Sequence, residues 1–242
     1  MGEKDRSLER RDQPGSVTNR SESSSSSDIA AFVKQVGAMA RPAGSGRGRL
    51  LFALDATMSR QPTWDLACQL QAEMFEAIPK GTLQVQLQYF RGFGECKASK
   101  WVVDASALAR LMTGIECRGG NTQISKVFAH ARAEHARQRI NAVVYVGDAI
   151  EEDVDALADK AGQLGLLGCP MFIFQEGRDS RVEAAFREFA RLTKGAYARF
   201  DSSAPRELAE LLKAVAAYAS GGRELLRLQK SAPARALLEQ LR

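Results

Sequence analysis

Between residues 49 and 219, short apolar runs alternate with segments whose apolar residues recur at helical spacing. The predicted strands are 49–55, 82–90, 98–103, 141–147, 169–174 and 196–200. The predicted helices are 62–77, 105–114, 122–138, 152–166, 179–193 and 205–219. A hairpin turn at 92–95 makes 98–103 an antiparallel edge strand. The pattern therefore predicts an α/β fold with a doubly wound, mostly parallel six-stranded sheet, one antiparallel edge strand and helices on both faces.

The segments outside this region have a different composition. Residues 1–27 combine charges, Pro14 and Gly15 with a run of serines, so we expect this segment to be disordered. Residues 28–47 contain an amphipathic helical pattern followed by a Gly-rich linker. The domain then spans residues 48–220. Residues 221–242 follow a helix-stop signal and carry two leucine groups, which predict a helical tail that packs on the domain or docks on a partner.

Charge and cysteine spacing argue against several classes of function. The net charge is +5, but residues 48–220 carry 21 basic and 21 acidic residues, so the excess lies in the terminal segments. A nucleic-acid-binding face is therefore not expected. The four cysteines form no Cys-x-x-Cys pair, which argues against zinc. With no apolar leader and no long apolar stretch, we expect a soluble, reduced, cytoplasmic protein that does not engage a membrane.

Oxygen-bearing side chains follow two apolar strands and open one helix. They are Asp55, Thr57 and Ser59 after the first strand, Thr122 at the start of a helix, and Asp148 after the strand at 141–147. In open α/β sheets, ligands bind beyond the carboxyl ends of the strands, where both aspartates lie. Oxygen-only donor sets suit Mg²⁺ or Mn²⁺. The sequence thus predicts a divalent-cation site at this edge.

In this order, these residues resemble the metal-ion-dependent adhesion site (MIDAS) of a von Willebrand factor A-type (vWA) domain, of the soluble bacterial type. The resemblance covers residues 48–220 and implies a Rossmann-like fold. It also implies that Thr57 and Ser59 bind the metal directly and that Thr122 binds directly or through water. Asp55 and Asp148 would act mostly through bound water, and a partner protein's Asp or Glu side chain would complete the coordination.

Each part of this pattern also has a structural interpretation. Thr122 and Asp148 could cap the helices that follow them, and Ser59 could start the helix at 62–77. Thr57 stands where serine is commoner in the family, and Gly147 precedes Asp148 where Asp-Gly is usual. The acidic run at 151–155 is interpreted as a solvated first helical turn. Asp55 is expected to face solvent, with little role in packing.

The expected function is therefore a divalent-metal-dependent protein-binding module that is not an enzyme. One alternative is a metal-free scaffold of the same fold that binds partners through its helices or terminal segments. Another is a metal-assisted hydrolase, but the sequence contains no nucleophile elbow, phosphate loop or His-Glu-x-x-His motif. The sequence specifies neither the identity of the partner nor the oligomeric state.

Overall fold

The computed structural model describes residues 47–200, except 77 and 79, and residues 205–221. The predicted N-terminal tail, the amphipathic helix with most of its linker, and the C-terminal tail beyond residue 221 lie outside the described residues. The described ranges contain the whole of the predicted sheet.

Six strands form one sheet, as the apolar runs predict. They are β1 (Gly48–Asp55), β2 (Leu83–Arg91), β3 (Glu95–Ala98), β4 (Ala142–Gly147), β5 (Met171–Glu176) and β6 (Ala196–Phe200). The strand order is β3-β2-β1-β4-β5-β6, and every neighbouring pair is parallel except β2 with β3. The prediction of a mostly parallel six-stranded sheet with one antiparallel edge strand is confirmed.

The helices cover both faces of this sheet. They are α1 (Gln61–Glu76), α2 (Ala105–Thr113), α3 (Ile124–Arg137), α4 (Val154–Leu166), α5 (Ser180–Leu192) and α6 (Pro205–Gly221). Alternate residues of β1 point to opposite faces: Leu50 and Phe52 pack with α1, α2 and α6, whereas Leu51 and Ala53 pack with α3, α4 and α5. A central strand with apolar neighbours on both sides must be apolar throughout, which explains the unbroken run in its sequence.

The edge strand lies earlier in the chain than the sequence predicts. β3 occupies 95–98 instead of 98–103, and it pairs directly with residues 88–91 of β2. Beyond Ala98, the predicted strand keeps only an isolated bridge between Val102 and Val85. The apolar Trp101, Val102 and Val103 favoured the later position, but pairing at an edge is decided by backbone hydrogen bonds close to a tight turn.

The topology places three acidic strand ends side by side. Because β4 lies between β1 and β5, the carboxyl ends of these three parallel strands are neighbours. Asp55 closes β1, Asp148 directly follows β4, and Glu176 closes β5. The predicted metal edge therefore carries one carboxylate more than the sequence analysis assigned to it.

Candidate metal centre

Asp55 is buried at the end of β1, with 3% of its surface exposed, so the expectation that it faces solvent is wrong. The loop before α3 packs against the turn after β1, with the Arg118 amide donating to the Ala56 carbonyl at 3.0 Å. The Thr57 amide donates to Asp55 Oδ1 at 2.8 Å. Asp55 Oδ2 is buried and has no hydrogen-bond partner among the described residues.

The environment of Asp55 disfavours its negative charge. Burial raises the pKa of this carboxyl group from 3.8 to about 6, and the charge of Asp148 adds to the increase. Hydrogen bonds from Thr57 and the charge of Arg60 act in the opposite direction but do not cancel the cost of burial. A cation bound at Oδ2 would remove much of this cost.

Thr57 and Ser59 bring two hydroxyl oxygens together beside Asp55. A short 3-10 turn at Met58–Arg60 follows Thr57, and it places Thr57 Oγ1 3.3 Å from Ser59 Oγ. Two oxygens at adjacent octahedral positions around Mg²⁺, each about 2.1 Å from the ion, lie about 3 Å apart. The spacing of these hydroxyls therefore fits a shared cation. Thr57 is buried, whereas Ser59 is exposed and faces the solvent side of the site.

Asp148 lies at the end of β4 and contacts a residue that the sequence analysis did not consider. Its Oδ2 is 3.7 Å from Arg60 Nη1, and the same guanidinium nitrogen forms a close ion pair with Glu176. The Thr63 hydroxyl also donates a hydrogen bond to Glu176. Arg60 is 2% exposed, so a positive charge is buried next to the proposed metal ligands.

Thr122 lies in the loop before α3 and bonds to the loop after β4. Its hydroxyl accepts from the Glu151 amide at 3.0 Å, and its own amide donates to Glu151 Oε2 at 2.8 Å. This reciprocal pair connects the Thr122 loop to the segment that follows Asp148. Among the described residues, its hydrogen bonds join Thr122 to Glu151 and not to the β1 loop.

The capping interpretations of Thr122 and Asp148 are wrong. α3 begins at Ile124 after Gln123, and α4 begins at Val154 with the Asp153 side chain as its cap, so neither Thr122 nor Asp148 has that role. Ser59 lies in the 3-10 turn Met58–Arg60, which is followed directly by α1 at Gln61, so its interpretation as a residue at the start of this helix is not contradicted.

The acidic run at 151–155 is only in part the solvated helical turn that we expected. Glu151 and Glu152 precede α4 and bond to another element. Glu152 accepts from the amides of Ile124 and Ser125, and so supplies the charged cap of α3 that this helix lacks in its own sequence. Sequence spacing gives no sign of this role, because the two segments are about 28 residues apart.

The donor set determines what this edge can hold. In the described part of the chain, no three His, Cys, Asp or Glu side chains form a metal-binding group. A cation here would therefore be held mainly by the hydroxyls of Thr57 and Ser59 and by water, with Asp55 acting through the bound water. An ion held by so few charges keeps residual positive charge and attracts a further carboxylate.

Comparisons with known proteins show the fold of this domain. No protein-family model matches the sequence, and no curated protein matches it significantly. Among solved structures, a von Willebrand factor type A protein from Catenulispora acidiphila aligns with a TM-score of 0.59 and 14% identity, over 71% of this chain and 43% of that chain. The SpRpn10 VWA domain aligns with a TM-score of 0.53 and 14% identity, over 73% of this chain and 97% of that domain.

A third structure carries a metal. Proximal thread matrix protein 1 from the mussel byssus, with a zinc-occupied MIDAS motif, aligns with a TM-score of 0.58 and 13% identity, over 71% of this chain and 46% of that chain. Together these likenesses show that the described part of the chain adopts the vWA-type, Rossmann-like α/β fold. None of the helices in the described ranges combines the length and the hydropathy needed to cross a bilayer.

Proposed function

We propose that this chain is a protein-binding module whose sheet edge coordinates a divalent cation, Mg²⁺ or Mn²⁺, and through it an acidic residue of a partner protein. The proposed metal-site residues are Asp55, Thr57, Ser59, Thr122 and Asp148. Thr57 and Ser59 would bind the ion directly, Thr122 directly or through water, and the two aspartates mostly through water.

The observation that carries this proposal is that Asp55 Oδ2 is buried and has no hydrogen-bond partner in the described part of the chain. A buried carboxylate oxygen without a hydrogen bond is costly, and it persists where function requires it. Here it lies beside two hydroxyls spaced as neighbouring ligands of one small cation. The zinc-occupied motif in the mussel protein supports the same use of this edge in a domain of similar fold.

Exposed apolar side chains near the site support protein binding. Met58 stands between the two hydroxyl residues and is 60% exposed. Phe93, at the tip of the β2–β3 hairpin on the same edge of the sheet, is 89% exposed. Both offer contact area to a partner whose carboxylate reaches the metal. The proposed role is binding and not catalysis.

A metal-free scaffold of the same fold is the second candidate, and Arg60 favours it. Its guanidinium already places a positive charge beside Asp148 and Glu176, so part of the neutralisation that a metal would provide is built into the chain. In this alternative, partners bind through helices or terminal segments. For either candidate we propose a reducing, cytoplasmic compartment, because all four cysteines are free thiols.

Chelation distinguishes the two candidates. Partners would be captured from a lysate of the source cells on the immobilised full chain, first with EDTA, then with Mg²⁺ restored. The metal-dependent module predicts a protein that is lost with EDTA and regained with Mg²⁺, and that the Asp55→Asn variant does not capture. Asp159→Asn, a change on the exposed surface of α4, is the matched control and should behave as wild type. Capture that is unaffected by EDTA, with no heat from millimolar Mg²⁺ or Mn²⁺ in calorimetry, would favour the scaffold.

A further inference from the structure

Arg60 is a buried charge for which the proposed metal site provides no role. It follows Ser59 in the turn after β1, where its amide donates to the Thr57 carbonyl at 3.0 Å. The backbone that positions the two hydroxyl ligands therefore also fixes this arginine. Its Nη1 contacts Asp148 and Glu176, whereas Nε and Nη2 are buried without a hydrogen-bond partner among the described residues.

The partners of Arg60 are unequal in geometry. Glu176 forms a close ion pair with Nη1, and the Asp148 oxygen is 3.7 Å away, at the outer limit of an ion pair. The guanidinium thus pairs fully with Glu176 and attracts Asp148 without holding it in a short hydrogen bond. Asp148 is also the more exposed of the two carboxylates, with 28% of its side chain accessible against 18% for Glu176. It is the one that can turn towards a cation.

We propose that Arg60 is an internal counter-ion that competes with the metal for Asp148, and so keeps the affinity of the site for a free cation low until a partner carboxylate arrives. This inference rests on the proposed metal-binding function. The three neighbouring carboxylates, Asp55, Asp148 and Glu176, would otherwise form a strongly negative edge. One permanent positive charge among them reduces that attraction and also repels the incoming ion.

Burial makes this effect strong and difficult to screen. Charges at a protein surface are weakened by water and salt, but Arg60 is almost fully enclosed. A partner carboxylate would add the negative charge that Arg60 offsets, so metal and partner would each raise the affinity for the other. The site would then hold a metal firmly only in the complex, without any change in the domain's fold.

A purely structural role for Arg60 gives a different expectation. Through Glu176, Arg60 also joins the β1 turn to the end of β5, and the Thr63 hydroxyl supports the same carboxylate. If this connection were its only role, its loss would destabilise the fold and loosen the ligands, which would weaken metal binding. The counter-ion role predicts instead that loss of the Arg60 charge strengthens metal binding.

The test is calorimetric titration of the full chain with Mn²⁺, comparing wild type with Arg60→Gln and Arg60→Lys. Removing the charge should tighten binding by about tenfold or more, from the Coulomb energy of two charges a few ångström apart in a partly buried site. Arg60→Lys keeps the charge and should stay close to wild type. Arg49→Gln is the matched control, because Arg49 is also buried and paired, with Glu134 at 3.4 Å, at the other end of β1. It should leave the affinity unchanged.

The variant Glu176→Gln provides a second test of the Mn²⁺ affinity. This test does not require the Arg60→Gln variant to fold. With Glu176 neutralised, Arg60 pairs with Asp148 alone, so Mn²⁺ affinity should fall below that of wild type. Tighter binding of Mn²⁺ by Arg60→Gln than by wild type supports the inference. If wild type binds Mn²⁺ and a folded Arg60→Gln variant binds it equally or more weakly, the counter-ion inference is wrong. The proposed metal site is not contradicted by that result. If neither wild type nor any variant binds Mn²⁺ measurably, both the proposed metal site and this inference are wrong.

Discussion

At the position of Asp55, the chain keeps a buried carboxylate whose charged form its surroundings disfavour. Oδ2 has no hydrogen-bond partner within the described ranges, and burial and the charge of Asp148 both oppose ionisation. Stability that is sacrificed at a single buried polar atom is typical of functional sites. The cost should therefore be measurable as a gain in stability when the charge is removed.

We expect Asp55→Asn to raise the free energy of unfolding at pH 7, in EDTA, by about 1–2 kcal/mol. The penalty for the buried charge follows from a native-state pKa of about 6, against 3.8 for the isolated group. Burying the side-chain nitrogen of the new asparagine without a hydrogen-bond acceptor offsets part of the stabilisation. Urea denaturation measures the difference, with Asp159→Asn as the exposed control.

The pH dependence has a definite sign. Because the native-state pKa of Asp55 is raised, the native state binds its proton more tightly than the unfolded state between about pH 4 and pH 6. The stability of wild type relative to Asp55→Asn should therefore decline as the pH rises through this window, and be nearly constant above it. A wild type that instead gains stability relative to the variant between pH 4 and 6 contradicts the assigned environment.

Single residues differ in how far the sequence reveals them. Asp55 and Asp148 stand directly after unbroken apolar runs, so their place at the sheet edge follows from local pattern. The burial of Arg60 does not, because it depends on Glu176, which lies more than a hundred residues away and was placed beyond the end of its predicted strand. The exposure of Asp55 was also predicted wrongly, since the loop that covers it comes from the segment before α3.

At the scale of elements, the site depends on a contact between the β2–β3 hairpin and the loop before α3. A Cβ added at Gly120 would lie 2.1 Å from the Gly92 carbonyl oxygen, so the two backbones touch. Gly92 adopts a φ of +60°, which suits the tight turn. The Asn121 amide and the Gln123 side chain donate to the Gly92 carbonyl, each at 3.3 Å. This contact holds the loop that carries Thr122.

Two adjacent glycines test this contact. Gly120→Ala should destabilise the fold by about 1–3 kcal/mol, because its Cβ has no room beside Gly92, and should weaken metal binding by displacing Thr122. Gly119→Ala adds the same methyl group where nothing lies within 4 Å, so its effect should stay within about 0.5 kcal/mol. Chemical denaturation and Mn²⁺ titration of both variants provide the comparison. Equal effects of the two changes would show that the hairpin contact does not position the loop.

Elements inside the sheet were predictable, and the edge elements were less so. The central strands carry apolar side chains on both faces, which produces unbroken apolar runs in the sequence. β3 is half exposed and short, and its position is set by pairing with β2 next to the Gly92 turn. The cap that Glu152 provides for α3 is likewise a contact between distant segments, which no local pattern encodes.

At the scale of the whole molecule, two apolar layers enclose the sheet and leave its carboxyl edge as the place where polar groups converge. The layer with α1, α2 and α6 and the layer with α3, α4 and α5 share the strands β1, β4 and β5, and the site lies at the carboxyl ends of these shared strands. Cation binding at this point should therefore stabilise the domain as a unit.

We expect millimolar Mg²⁺ to raise the melting temperature of the full chain. For a dissociation constant of about 1 mM, 10 mM Mg²⁺ stabilises the native state by about 1.4 kcal/mol, or about 3–6 °C for a domain of this size. Scanning calorimetry at constant ionic strength measures the shift. Asp55→Asn should show none, and an equal shift in both proteins would mean that the ion acts at another place on the molecule.

Anomalous diffraction from a crystal of the full chain soaked in Mn²⁺ would locate the cation directly. We expect one strong anomalous peak at the carboxyl edge of the sheet, beside the hydroxyls of Thr57 and Ser59 and near Asp55, with oxygen ligands at about 2.1–2.2 Å. A crystal of Asp55→Asn soaked in the same way should lack that peak. A wild-type map with no peak at this edge in millimolar Mn²⁺, or with its strongest site elsewhere on the domain, would contradict the central claim.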